Sequence, residues 1–362
     1  MGAATPRLKF GGDNGFQIEL RRRVDEFFSR TGKSRRDALQ MYIKAGVVLL
    51  WFAVSYALLV FVAQAWWQAL PLAVMVGMAT AAIGFNIMHD GGHGAFSRHP
   101  WVNHLFAMSL DMIGGSSVLW RWQHGVYHHT YVNITGNDAD IDLGGLGRLT
   151  PHQRRLWFHR VQHWYIWLLY GVMAIKWQLY DDFRELIVSR CGANRIPRLT
   201  PRELLIFFVG KALFLSLAFG VPMLLHPFWA VAIFYAVAAI VLGLVLSVVF
   251  QLAHCVEEAE FPMPDAVTRR MERAWAIHQV ETTVNFSRGN RVVSWLLGGL
   301  NFQIEHHLFP RVCHTHYAAM AKLVEETCRD FGIRYNEHKS LWSGIASHFR
   351  WLRQMGMTTP TA

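Results

Sequence analysis

Charge is what this 362-residue chain has little of. Asp, Glu, Lys and Arg make up 17% of it, where a soluble domain carries about 25%. The shortfall is concentrated: no charged residue occurs from Ala45 to Met88. With hydrophobic residues at 52%, this argues against a soluble globular protein and for one embedded in a bilayer. Cysteine is scarce too. Cys191, Cys255, Cys313 and Cys328 form no C-x-x-C pair, so neither a disulfide framework nor a thiolate metal site is indicated. They read as reduced thiols, and Cys255 as a packing residue although it follows His254. The N-terminus lacks the apolar core and small-residue cleavage site of a signal peptide. Acidic residues are outnumbered, 25 against 35 basic, for a formal net charge of +10. That balance suits anionic lipid. No zinc finger, RNA-binding aromatic motif or basic tail directs it to nucleic acid, and no nucleic-acid partner is expected.

What is present is hydrocarbon in span-sized pieces. A bilayer core about 30 Å thick needs roughly 20 helical residues. The apolar run from Ala45 is too long for one span, and Gln64 to Pro71, with Trp66 and Trp67 suited to a membrane interface, is a natural break. The spacing predicts spans over about 45–65, 68–88, 204–224 and 229–253, the last two broken at His226-Pro227 and interrupted by Lys211 alone. Nearly every Lys and Arg falls in 1–44, 98–202 or 268–362. Those regions should share one side, the cytoplasm, with very short turns opposite. The expected fold is therefore all-α and integral to the membrane, with four transmembrane helices in two hairpins under a cytoplasmic helical cap. Its parts are a basic N-terminal segment (1–44), a membrane domain (45–355) and a short tail (356–362). About Phe16 to Phe28 reads as an amphipathic helix with its arginines among lipid headgroups. The Trp-rich stretch 156–180 reads as interfacial or half-inserted, because an odd span would separate its flanks.

Histidine is abundant, at 19 residues. His89 and His93 end the second expected span at i and i+4, which on a helix share a face. His124, His128 and His129 follow at i, i+4 and i+5; His306 and His307 are adjacent; His254 ends the fourth span. One H-x-x-x-H or His-His is ordinarily surface or core. All eight at the ends of spans on one side, or in segments on that side, point to a shared metal site. Eight imidazoles exceed what one zinc takes. Two metals with about four each fit better, and imidazole without thiolate suits iron. Asp90, Asp138, Asp140, Asp142 and Glu305 are candidate acceptors for the ring N–H groups, each equally readable as a surface charge or cap.

These motifs carry a family resemblance. His89-Asp-Gly-Gly-His93, then His124-x-x-x-His-His129, then Gln303-x-x-His-His307, with paired spans between, resembles the membrane fatty acid desaturases. Asn301-Phe-Gln-Ile-Glu-His-His-Leu-Phe-Pro310 is similar to the third box of the front-end, linoleoyl-CoA-desaturase-like branch. His128-His-Thr-Tyr-Val-Asn133 with Gly136 and Asp138, and Gln279-Val-Glu-Thr-Thr-Val-Asn285, match as well. The likeness runs over roughly 45–355. It implies iron ligation by His89, His93, His124, His128, His129, His254, His306 and His307. Gln303 would be a weak ligand or hydrogen-bond partner, with Asp90 and Asn133 behind the ligands. Gly125 stands where relatives often have asparagine.

The resemblance implies an O2-dependent acyl desaturase, an oxidoreductase forming a cis double bond, with two iron ions and two electrons from outside. Its substrate would be a fatty acyl chain on coenzyme A or a membrane phospholipid. The haem motif H-P-G-G of fused cytochrome b5 domains is absent, so a separate donor of ferredoxin or cytochrome b5 type is expected. A bacterial inner membrane is expected rather than an endoplasmic reticulum. A tunnel, walled in part by Trp120 to Trp122, would hold the acyl chain. The alternative is a related membrane diiron hydroxylase or ketolase, which leaves oxygen in the product.

Overall fold

The computed structural model describes residues 8–358. Its regular structure is helical apart from three pairs of two-residue strands: Lys9–Phe10 with Arg270–Met271, Arg190–Cys191 with Asn194–Arg195, and Asn285–Phe286 with Glu337–His338. Among the described residues four helices are long and apolar enough to cross a membrane: Leu39–Val62, Trp66–His93, Pro201–Met223 and Phe228–His254. They correspond to the four expected spans, with shifted ends. The first begins before Lys44, a residue the charge boundary excluded. A buried lysine is tolerated once it has a partner, and Lys44 Nζ lies 2.9 Å from His314 Nε2. The break after it is only Ala63–Ala65. Pro71 sits inside the second span, near enough to its start that the missing N–H withdraws one backbone bond. The second span is the central one: 61% of its apolar window is buried, against 22% in each of the others.

The basic N-terminal segment is built into the body of the protein. Phe16, Leu20, Val24 and Phe28 recur every four residues along the helix Gly15–Thr31, placing them on one face. That face is buried against Val280, Ile304, Met320 and Val324. The expected headgroup helix thus spends its apolar stripe on protein. Its arginines stay outside, where Arg22 and Arg23 pair with Glu19. Residues 1–7 of the expected N-terminal segment and 359–362 of the expected tail lie outside the described residues; 356 and 357 complete the helix Leu341–Met357.

The Trp-rich stretch forms a helix, Gln162–Lys176, continued by a π-helical turn, Trp177–Asp181, and a final segment, Asp182–Val188. It packs against the fourth span. At their crossing a Cβ added to Gly243 would stand 2.5 Å from the Tyr170 carbonyl oxygen and 2.6 Å from that of Gly171. Trp164, Leu168 and Val172 are exposed on its outward face. Gly243→Ala is therefore expected to force two backbones apart and lower stability by about 1–3 kcal/mol, the usual range for overpacking. Thermal unfolding in detergent would measure it; an unchanged melting temperature would mean the crossing is not a tight one.

Candidate metal centre

The second span delivers His89 and His93 through a local widening. Its last turns pass through a π-helical segment, Gly84–Met88, before His89–His93. The two glycines between the histidines are explained by what lies against them. A Cβ on Gly91 would be 2.7 Å from the backbone nitrogen of Ala107, and one on Gly92 2.3 Å from the Trp120 ring. Trp120 stacks on His124 at 4.7 Å between ring centres and meets His93 edge-on at 5.2 Å. The second cluster also rides on π-helix, Gln123–His128. Bonding from i to i+5 widens the turn, so i+4 and i+5 both return beneath i. That is how three imidazoles at 124, 128 and 129 converge, which an α-helix would not allow so well. The short helix Gln303–Leu308 brings in His306 and His307, and His254 is the last residue of the fourth span.

The eight imidazoles that the sequence singled out lie together. Ring nitrogens of His89, His93, His124 and His306 come within 4.8 Å of one another; so do those of His128, His254 and His307, and those of His129, His306 and His307. His129 thus shares His306 with the first group and His307 with the second. All lie in the protein interior, and six of them have a buried Nε2 with no protein partner. These are Nε2 of His93, His124, His128, His129, His306 and His307. Buried polar atoms are otherwise almost always paired, so this ring of orphaned lone pairs fits a metal-binding role.

Several outward nitrogens are held. His128 Nδ1 is 3.0 Å from Asp138 Oδ2, His307 Nδ1 is 2.8 Å from Gln279 Oε1, and His306 Nδ1 is 3.3 Å from the Tyr317 hydroxyl. His124 Nδ1 lies 3.6 Å from Asp140. An acceptor at Nδ1 keeps the proton there and leaves Nε2 free. Burial, together with neighbouring imidazoles, pushes His129, His306 and His307 well below the usual histidine range, and His124 to about 3. Neutral rings are the form that binds metal. His128 runs the other way: burial alone would lower it, but the Asp138 carboxylate carries it upward.

The other candidates divide. Asp138 and Asp140 face rings, as expected. Asp142 is exposed and caps a turn at Gly144; Glu305 is buried on Asn285 and Tyr335 and touches no ring. For these two the expectation of an imidazole partner fails, because backbone and side-chain donors nearer by claim the carboxylates. Burial pushes Glu305 up to about 7 against those two hydrogen bonds. Asp90 lies 4.0 Å from His89 Nδ1 but accepts instead from His314 Nδ1 at 3.1 Å, and His314 in turn meets Lys44. Gln303 Nε2 lies 3.0 Å from His254 Nε2. Cys255 is buried and belongs to none of the clusters.

Asn133 touches no imidazole. Its Nδ2 is within hydrogen-bond reach of three carbonyl oxygens, those of His254 (2.9 Å), Thr282 (3.0 Å) and Glu260 (3.2 Å). Its φ of 57° is one that asparagine tolerates better than most residues. It pins the end of the fourth span to two loops. Beside it, His348 Nδ1 bonds the Cys255 carbonyl at 2.6 Å while Nε2 receives the Tyr170 hydroxyl at 2.9 Å. Asn133→Ala is expected to cost about 1–3 kcal/mol for each buried carbonyl left unpaired, and to loosen His254. Asn133→Asp, the same shape without an N–H, should be no better. Unfolding curves and bound-metal content of both variants would check this; a benign Asp variant would sink the clamp.

Gln279, Tyr317, His314 and Lys44 were not singled out from sequence as holding any of these groups. Only Gln279 carried a signal, as the first residue of a motif quoted for its family likeness.

A match to the family model described as fatty acid desaturase covers residues 64–339. The chain is similar over its whole length, at 37% identity over 363 residues, to the sn-1 linoleoyl-lipid 6-desaturase of Arthrospira platensis, covering 98% of that protein. It is 37% identical to the protein of the same name from a Synechocystis species, over 97% of this chain and 98% of that one. It is 34% identical to the acyl-lipid (8-3)-desaturase of Physcomitrium patens, over 95% of this chain and 72% of that one.

Proposed function

We propose, from the premise that this chain belongs to the fatty acid desaturase family, that it introduces a cis double bond into an acyl chain carried on a membrane lipid. It is a fatty acid desaturase, hence an oxidoreductase, and a multi-pass membrane protein acting on acyl or lipid substrate. Beyond that, the reading is ours. O2 is the oxidant and takes up two electrons from a separate donor of ferredoxin or cytochrome b5 type. The relatives named as linoleoyl-lipid 6-desaturases support a lipid-bound substrate over acyl-CoA, and a bond placed toward the carboxyl end. Their names do not favour the hydroxylase or ketolase alternative.

The observation that carries the reading is the set of buried, unpartnered imidazole nitrogens facing one another. His89, His93, His124, His128, His129, His254, His306 and His307 would hold two iron ions. The bound pair would supply O2 reduction coupled to hydrogen removal from an unactivated CH2. The rest falls to the chain's own residues. Asp138, Asp140, Gln279 and Tyr317 fix the rings' protons on the outer nitrogens. Gln303 steadies His254. Trp120, packed over His93 and His124, presents an apolar surface that excludes water and helps place one carbon pair beside the metals. We place the four spans as two hairpins, with residues 94–200 and 255–358 forming a cap on the cytoplasmic side of a bacterial inner membrane.

Fatty-acid profiling tests this. The chain is expressed in a host that supplies a redox partner and fed saturated, monounsaturated and diunsaturated acids, and its products are analysed by gas chromatography–mass spectrometry. A new double bond in the lipid fraction is expected. Hydroxylated or oxidised acyl products without one would overturn the desaturase assignment, and a product appearing first on acyl-CoA would overturn the lipid carrier.

A further inference from the structure

A cavity lies away from the imidazoles. A space of about 530 Å³ opens between the first two spans and the last two, within the ~300–1,000 Å³ common for small-molecule sites. Its rim is the short links between paired helices. Trp66 and Trp229, 72% and 66% exposed, stand there as interfacial aromatics do. Its floor is Met112, Ile113 and Gln178. From Trp229 to Leu242, both on its wall, the fourth span rises about 20 Å at ~1.5 Å per residue. One leaflet contributes half of a hydrocarbon core about 30 Å thick, so the cavity is deep enough for a whole acyl tail.

The lining says what enters. Its interior polar side chains already have protein partners. The Tyr56 hydroxyl donates to the Leu217 carbonyl, Thr80 to that of Val76 and Gln178 to that of Ile113, while Tyr235 donates to Gln178 and His226 Nε2 meets the Val60 carbonyl. None is left to recognise a polar ligand, so the interior offers hydrocarbon. The links at the rim, 63–65 and 224–227, carry no charged residue, so no ion pair there selects a charged headgroup. The floor is knotted shut. Besides the Gln178 bonds, Lys211 Nζ donates to the carbonyls of Gly114 and Gln178. None of the eight imidazoles lines the space.

We propose that this cavity holds the tail of a resident membrane lipid from the leaflet remote from the metal centre, entering from the Trp66–Trp229 rim with little headgroup selectivity. It is a structural site, separate from the path of the reacting chain. The inference rests on the membrane placement proposed above.

The test uses the full chain in nanodiscs of a phosphatidylcholine bearing a diazirine at one tail end. After irradiation and digestion, adducts are expected on the peptides holding Met112–Ile113 and Tyr235. Ala218→Trp with Ala230→Trp fills the space, and those adducts should fall about tenfold, the change expected when one well-filled apolar contact is lost. Desaturation is assayed in the same samples, so loss of activity by the unsubstituted chain is distinguished from failure of the lipid site. Chain-length preference should be unchanged in the variant. Adducts confined to outward faces of the spans, or untouched by the substitutions, would overturn the site. So would a variant that accepts only shorter acyl substrates, since the cavity would then be the end of the substrate channel. If the double variant does not accumulate, Ala230→Trp alone, at the half-exposed rim, serves the same comparison.

Discussion

His307→Ala is expected to remove the new double bond from the lipid profile and to lower retained iron from about two per chain to about one or fewer, because neither partner group can complete its sphere with the remaining rings. His307 is fully buried, its Nε2 faces His128 and His254 without a protein partner, and its Nδ1 is held by Gln279. Gln279→Leu makes the sharper companion. It leaves the imidazole but frees its outer nitrogen, and such a change typically weakens metal affinity about 10–100-fold. His163, which belongs to none of the imidazole groups, supplies the control: His163→Ala should keep both iron and activity. Elemental analysis after dialysis against a graded chelator, read beside the acyl profile, ranks the three. Full iron and activity in the His307 variant would remove that residue from the ligand set.

The second large effect concerns stability. Lys211→Met is expected to destabilise the protein by about 3–5 kcal/mol, the range for breaking a buried ion pair by removing one member. Lys211 and Asp182 are both nearly inaccessible, and Nζ lies 2.7 Å from the carboxylate, with two backbone carbonyls completing its three donors. The methionine variant leaves Asp182 uncompensated. Adding Asp182→Asn should recover most of the loss, since the cost lies in the stranded charge rather than in the missing attraction. Unfolding in nanodiscs, analysed as a double-mutant cycle, measures the pair. Additive losses would show that the two residues act independently.

The contrast between these two sites explains what could be read from sequence. The histidines were legible because they come in tight clusters: spacing of one to five residues is itself the signal, and His254 was found because it ends an apolar run. The groups that hold them were not. Lys44 and His314 are 270 positions apart, and Asn133 reaches carbonyls 121 to 149 positions away; nothing local marks such a meeting. Glu305 misled for the converse reason. Its place beside His306 suggested an imidazole partner, yet the short helix turns it away from the rings onto Asn285 and Tyr335, still buried. The spans were legible as hydropathy, but the helix through 162–188 was only half so. Lys176, Asp181 and Asp182 dilute its apolar pattern, and its position is decided by Gly243 and Lys211 on other helices.

The order in which the imidazoles occur along the chain also bears on biogenesis. His129 shares His306 with one of the two other groups and His307 with the second, but is made long before His254, His306 and His307. At roughly 5–20 residues per second, synthesis separates the first five rings from the last two by on the order of ten seconds. Through that interval the nascent chain carries only part of the proposed imidazole set. The contacts that hold the last pair, Gln279 on His307 and Tyr317 on His306, also come from residues made well after His129. The proposed ligand set is therefore complete only after residues 306 and 307 have joined rings made much earlier.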